Sequence, residues 1–162
     1  MIEIEVNTEA IEEGLQRLAA LGRDLTPVAR ALGGVMADAA ERAFAGQCDP
    51  VTGAAWHPLS PVTLARRAKG GHDGPILQVR GILASSIHTD YGRDHVTVGT
   101  NEPHARTHQF GAMRGAHGRT RRGGPIPWGN IPARPFLGVG PEDEEEIEGI
   151  VRAEVQKAFF GV

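Results

Sequence analysis

Cysteine is nearly missing from this chain: Cys48 stands alone among 162 residues. A lone thiol excludes an intramolecular disulfide and fits a protein made in a reducing compartment. Aromatic residues are scarce at 5%, so a core of aliphatic side chains and alanine is expected. No apolar run approaches the roughly 18 residues of a membrane span. The start, Met1 to Val6, is acidic and alternating rather than basic and apolar, which does not fit a signal peptide. No internal repeat is visible. The most telling absence is local. Between His104 and Arg134 there is no carboxylate, although the stretch holds six arginines (106, 114, 119, 121, 122 and 134) and three histidines.

The residues that are present describe an ordinary globular composition, with 40% hydrophobic and 23% charged residues. A chain of this length is expected to form a single domain over residues 1–162 and to bury about 70% of its unfolded surface. The 22 glycines and 11 prolines place much of it in loops. The net charge of −3 hides a split. Residues 142–162 carry seven acids and two bases, whereas the stretch from His104 to Arg134 carries only bases. A dipolar chain of this kind suits head-to-tail association with copies of itself.

Ile2, Ile4 and Val6 alternate with polar residues, as in a half-buried strand. Thr8 is placed to cap a helix with Ile11, Leu15, Leu18 and Ala19 on its apolar face and Gly22 at its end. Thr26-Pro27 is a second start, with Thr26 as cap and proline in the first turn. That helix should run to about Ala45, burying Leu32, Val35, Met36, Ala39, Ala43 and Phe44. Ser60-Pro61 opens a short helix, and Lys69 to Gly74 reads as a mobile, polar loop. Residues 84–91 and 94–99 read as a hairpin turning at Gly92-Arg93. His104 to Phe110 forms a short helical or extended piece, Phe136 to Val139 a last strand, and Pro141 begins a long helix with an acidic first turn. The expected fold class is α+β: an antiparallel sheet of about four strands, amphipathic helices packed on one face, and a long mobile arm over about 111–130. Glycines and prolines bar any helix or central strand from the arm.

Three candidate chemistries are weak on their own terms. Ser86, His88 and Asp90 carry the residue types of a hydrolase triad, but two-residue spacing on a strand separates neighbours by about 6.6 Å, beyond hydrogen-bond reach. His104 and His108 would share a helix face near Glu102, yet zinc requires further ligands, and His117 and Cys48 are distant in sequence. Gly138-Val139-Gly140 has the first two glycines of a dinucleotide loop, but carboxylates occupy the turn where pyrophosphate would sit. No catalytic, cofactor or metal residue is therefore assigned. The arm's arginines suit a protein partner, or nucleic acid as the alternative. Without interleaved aromatics they match single-strand recognition poorly. Trp56 and Trp128 read as packing anchors, or as an interface anchor if exposed.

Four ordered segments resemble one family. They are Phe44…Asp49-Pro50…Gly53…Trp56…Leu59-Ser60…Thr63; Ile76-Leu77…Gly81-Ile82-Leu83…Ser86-Ile87; Ala105…His108-Gln109-Phe110-Gly111; and Ile131-Pro132-Ala133-Arg134-Pro135-Phe136-Leu137-Gly138. Together they are similar to the phage virion morphogenesis, or tail completion, proteins of Mu-like and P2-like phages. The resemblance implies a structural, non-enzymatic protein of the head–tail junction or tail end. It also implies a homo-oligomeric, sixfold ring between the connector and the tail terminator or tail tube proteins, with DNA passing through. Such a protein works in the virion neck or tail after assembly in the host cytoplasm. Arg106, Arg114, Arg119, Arg121, Arg122, Arg134 and Trp128 are the expected partner-binding residues. Arg134, held between Ala133 and Pro135, has a second reading as a clamp on the domain's own carboxylates.

Overall fold

A computed structural model describes residues 7–72 and 74–161; the strand expected at Ile2 to Val6 lies outside the described residues. The elements in order are α1 (Glu9–Leu21), α2 (Thr26–Gly46), α3 (Pro61–Lys69), α4 (Ile82–Ser85), β1 (His88–Tyr91), β2 (Val96–Gly99), α5 (Ala105–Phe110) and α6 (Pro141–Phe160). The α+β class stands. Among the described residues the sheet has two strands, not four, paired antiparallel from His88↔Gly99 to Tyr91↔Val96. Residues 84 and 85, expected at the start of the hairpin, close α4 instead.

The fourth expected strand, Phe136 to Val139, is not a strand: it has no ladder partner among the described residues and bends at Leu137. A side chain takes that place. Gln109 accepts from the backbone N–H groups of Phe136 and Leu137 at 3.0 and 3.1 Å, and donates to the Leu137 carbonyl at 2.7 Å. The backbone groups that would have sought a neighbouring strand are satisfied by one amide.

Helix α2 is the hub. It lies against both strands on one side and against α6, while α6 also packs on α1. Its start differs from the expected cap: Thr26 is the first helical residue, and Asp24 accepts from its N–H at 3.0 Å and from its hydroxyl at 2.5 Å. At its end Gln47, rather than a glycine, takes the left-handed conformation (φ 51°). The Gln47 side chain accepts from the Ile76 N–H at 2.8 Å and its carbonyl from the Trp56 N–H at 2.8 Å. Helix α3 opens at Pro61 as expected, and Ser60 caps it, accepting from the Thr63 N–H at 3.2 Å. Thr8 does not cap α1; its hydroxyl donates to Glu12, and Asn7 accepts from the Glu9 N–H.

The core contains more aromatic surface than the composition suggests. Phe44, Trp56 and Phe136 meet at its centre with Ala43, Leu83 and Ala105. Phe44 stands edge-on to Trp56 at 5.8 Å and tilted against Phe136 at 5.2 Å. The Trp56 indole N–H donates to the Pro135 carbonyl at 2.7 Å. Each buried large apolar side chain contributes about 1.5–3 kcal/mol. These few rings therefore tie α2, the 50s loop, α4, α5 and the 130s segment into one body. The alanine face of α2 (Ala29, Ala39, Ala40) is buried as well.

Helix α1 departs from its expected packing. Ile11 and Leu15 are half exposed, and the buried residue is Gly14, which lets the Phe159 ring approach. The loop after α3 is tethered by the buried Arg67, which donates to the carbonyls of His72, Gly74 and Pro75 at 3.1, 2.6 and 3.0 Å. Among the described residues no helix is long and apolar enough to cross a membrane.

Candidate interaction surface

The arm leaves the body at Gly111 and returns at Ile131. Gly111 has φ +74°, and a Cβ there would lie 2.8 Å from the Ile131 carbonyl and 2.9 Å from the Ala133 nitrogen. Only glycine permits that approach. Beside it Ala112 and Ile131 exchange two backbone bonds at 2.9 and 2.8 Å, which close the base of the arm.

Beyond the base the arm contains neither helix nor regular strand, as expected, but it is folded back on itself rather than being an unpaired tether. Arg114 N–H donates to the Asn130 side chain at 2.9 Å, and Gly115 N–H to the Pro127 carbonyl at 3.0 Å. His117 N–H donates to Ile126 and Ile126 N–H to Gly118, both at 2.8 Å. Thr120 N–H donates to Gly124 at 2.7 Å at the tip. Gly115, Gly118 and Gly123 adopt positive φ, which allows the chain to reverse in so short a length. The Thr107 hydroxyl and His117 Nε2 lie 3.0 Å apart and tie the arm to α5.

The seven expected contact residues separate into two groups. Arg106, Arg114, Arg121, Arg122 and Trp128 are exposed, and none of these arginines has a carboxylate partner among the described residues. Trp128 is 76% exposed. Arg119 is exposed too, but its guanidinium donates to the Gly123 carbonyl at 3.1 Å. Arg134 is the correction. It is 5% exposed and donates to the carbonyls of His57 and Pro58 at 2.8 and 3.2 Å. It is a clamp, as its second reading had it, but on backbone carbonyls rather than carboxylates. Burial lowers its pKa, and at 5% exposure the side chain offers little surface to a partner.

Two exposed residues escaped the sequence reading. Phe110 and Met113 are 73% and 71% exposed. With Arg106, Gly111, Ala112 and Ala116 they line a cavity of about 510 Å³ between α5 and the arm. The signal was present, as large apolar residues on either side of Gly111 in an arginine-rich segment. Nothing in their spacing separates an exposed pair from a buried one.

The candidate catalytic sets do not assemble. Ser86 precedes β1 and donates to Leu83, with Thr100 Oγ1 at 2.6 Å. His88 Nδ1 sits 3.3 Å from the Ser86 carbonyl rather than its hydroxyl. His104 and His108 stack edge-to-face at 5.6 Å, with Glu102 at 3.5 Å from His104. Burial holds the His108 imidazole below the usual histidine range, and the nearby positive charges of His104 and Arg134 act in the same direction. Its Nδ1 is buried without a partner. Gly140 belongs to a helix cap: its N–H donates to Asp143 at 2.9 Å, and Asp143 also pairs with Arg42.

The sequence profile described as the phage virion morphogenesis family matches residues 6–156. The "Putative capsid assembly protein G" of Escherichia phage Mu is 34% identical over 159 residues, covering 98% of this chain and 96% of that protein. Two proteins of Haemophilus influenzae are similarly related. "Mu-like prophage FluMu G protein 1" is 33% identical over 160 residues, covering 96% of each chain, and "G protein 2" is 34% identical over 148 residues, covering 91% of each. No solved structure gives a significant match. The match extends over nearly the whole length of this chain and of the Mu-like proteins. The chain belongs to the phage virion morphogenesis family.

Proposed function

We propose that the protein is a structural, non-catalytic component of the head–tail junction or tail end, which completes the tail and joins it to the head as an oligomeric ring. The observation that carries this reading is the arm: a carboxylate-free surface with exposed arginines and an exposed tryptophan. Arginine and tryptophan are the residues most often responsible for binding energy at protein interfaces. The cations accelerate encounter with an acidic partner, and the apolar anchors slow its release. Arg106, Arg114, Arg119, Arg121, Arg122 and Trp128 are the contact residues, with Arg134 reserved for the fold. The partners are neighbouring copies in a sixfold ring, the head–tail connector, and the tail terminator or tail tube. The site of action is the virion neck or tail.

The Mu relative's description as a capsid assembly protein is in keeping with this reading. A lysate lacking the protein should contain filled heads and tails that are not joined. Adding the purified chain should restore joined particles, counted by electron microscopy. Normal joined particles without the protein would refute the proposal.

A further inference from the structure

Helix α6 carries an exposed stripe that complements the cavity beside the arm. At 3.6 residues per turn, Glu144, Glu148, Val151 and Val155 fall within about 60° of arc. All four are exposed, the valines by 40% and 43%. The stripe is acidic toward the helix start and apolar toward its end. The arm cavity has the same two halves with the opposite charge: Phe110 and Met113 form an apolar rim, and Arg106 lies beside them. Among the described residues neither Glu144 nor Glu148 has a basic partner, and Arg106 has no acidic one. No ion pair joins the two surfaces within the protomer.

We infer that the occupant of the Phe110–Met113 cavity is the α6 stripe of a second copy of this chain, with Val151 and Val155 on the apolar rim and Glu144 or Glu148 paired with Arg106. This rests on the ring reading above and gives the ring its contact. The two surfaces differ, so the contact is heterologous: each protomer offers one cavity and one stripe, and copies add head to tail until the rotation closes. A two-fold dimer would need one self-complementary patch instead.

The test mixes two full-length variants and reads mass by light scattering. Met113→Glu disables the cavity and leaves the stripe. Val151→Glu disables the stripe and leaves the cavity, and it repels rather than pairs with the Glu of the other variant. Both positions are exposed, and melting temperatures verify that each variant is folded; Phe110→Ala serves as a second cavity variant. Wild-type protein should form species larger than a dimer as concentration rises, and each variant alone should stay monomeric. An equimolar mixture should stop at a 1:1 dimer, because one intact cavity and one intact stripe remain. Assembly of either variant alone, a mixture that stays monomeric, or a wild type monomeric at all concentrations would overturn the inference. The joining of heads to tails is scored separately on particles, so the broader reading stands or falls on its own result.

Discussion

Gln109 and Leu137 exchange two hydrogen bonds, the side-chain amide donating to the Leu137 carbonyl at 2.7 Å and accepting from its N–H at 3.1 Å. With the third bond, to the Phe136 N–H, this amide acts as a one-residue strand that seats the returning limb of the arm on the core. Gln109→Leu leaves two backbone donors and one acceptor unpartnered, at about 1–3 kcal/mol for each buried group. We expect a loss of about 3 kcal/mol in urea unfolding. Gln109→Glu, which keeps both acceptor contacts, should lose less.

Arg134 should behave as a folding residue and not as a docking residue. Arg134→Lys removes the planar fork that reaches two carbonyls. It should cost about 2–3 kcal/mol, since a buried charge loses hydrogen bonds. Arg121→Lys, at an exposed position, should change stability by less than about 0.5 kcal/mol. Equal stabilities for the two variants would contradict the clamp.

Two helical glycines form a matched pair. A Cβ on Gly14 would lie 2.8 Å from the Phe159 ring and 3.0 Å from its carbonyl, whereas Gly34 has nothing within 4 Å. Gly34→Ala should therefore stabilise by about 0.5–1 kcal/mol through helix propensity. Gly14→Ala should destabilise by about 1–3 kcal/mol as α1 and α6 are forced apart. Thermal melts of the two variants should shift in opposite directions.

Acid should weaken the fold through His108. Its folded pKa lies below the ordinary value of 6.5, so the unfolded chain binds a proton first as pH falls. Stability is complete above about 6.5 and declines below it, until the folded imidazole also titrates. His104, Glu102 and Arg134 are the charged or titratable neighbours. Melting temperatures between pH 7.5 and 5.5 should fall more steeply for wild type than for His108→Gln. Parallel curves would remove His108 as the cause.

Local signals made α2, α3, α6 and the hairpin legible, because each depends on neighbours in sequence: Pro27 in a first turn, Ser60-Pro61 as a helix start, the acidic start at Glu142. The misreadings share one physical origin, in contacts remote along the chain. Phe136 to Val139 has the letters of a strand, but its partner is the side chain of Gln109. The Ile11–Leu15 face has the spacing of a buried face, but Gly14 makes the close contact with Phe159. Arg134 reads like the arm's other arginines, and only the positions of His57 and Pro58 separate it from them. The arm's location was legible from its missing carboxylates. Its internal hydrogen bonds were not, because glycines at positive φ permit many paths and specify none.

The role of the arm is tested most directly by removing it without disturbing its base. Ala112 and Ile131 are bridged, so replacing residues 114–129 by a short glycine linker should leave the body folded, with a melting temperature close to wild type. The measurement is the yield of joined, infectious particles when this variant is the only copy supplied. The account predicts a folded protein and a loss of joined particles to the level seen without the protein; a normal yield would contradict it.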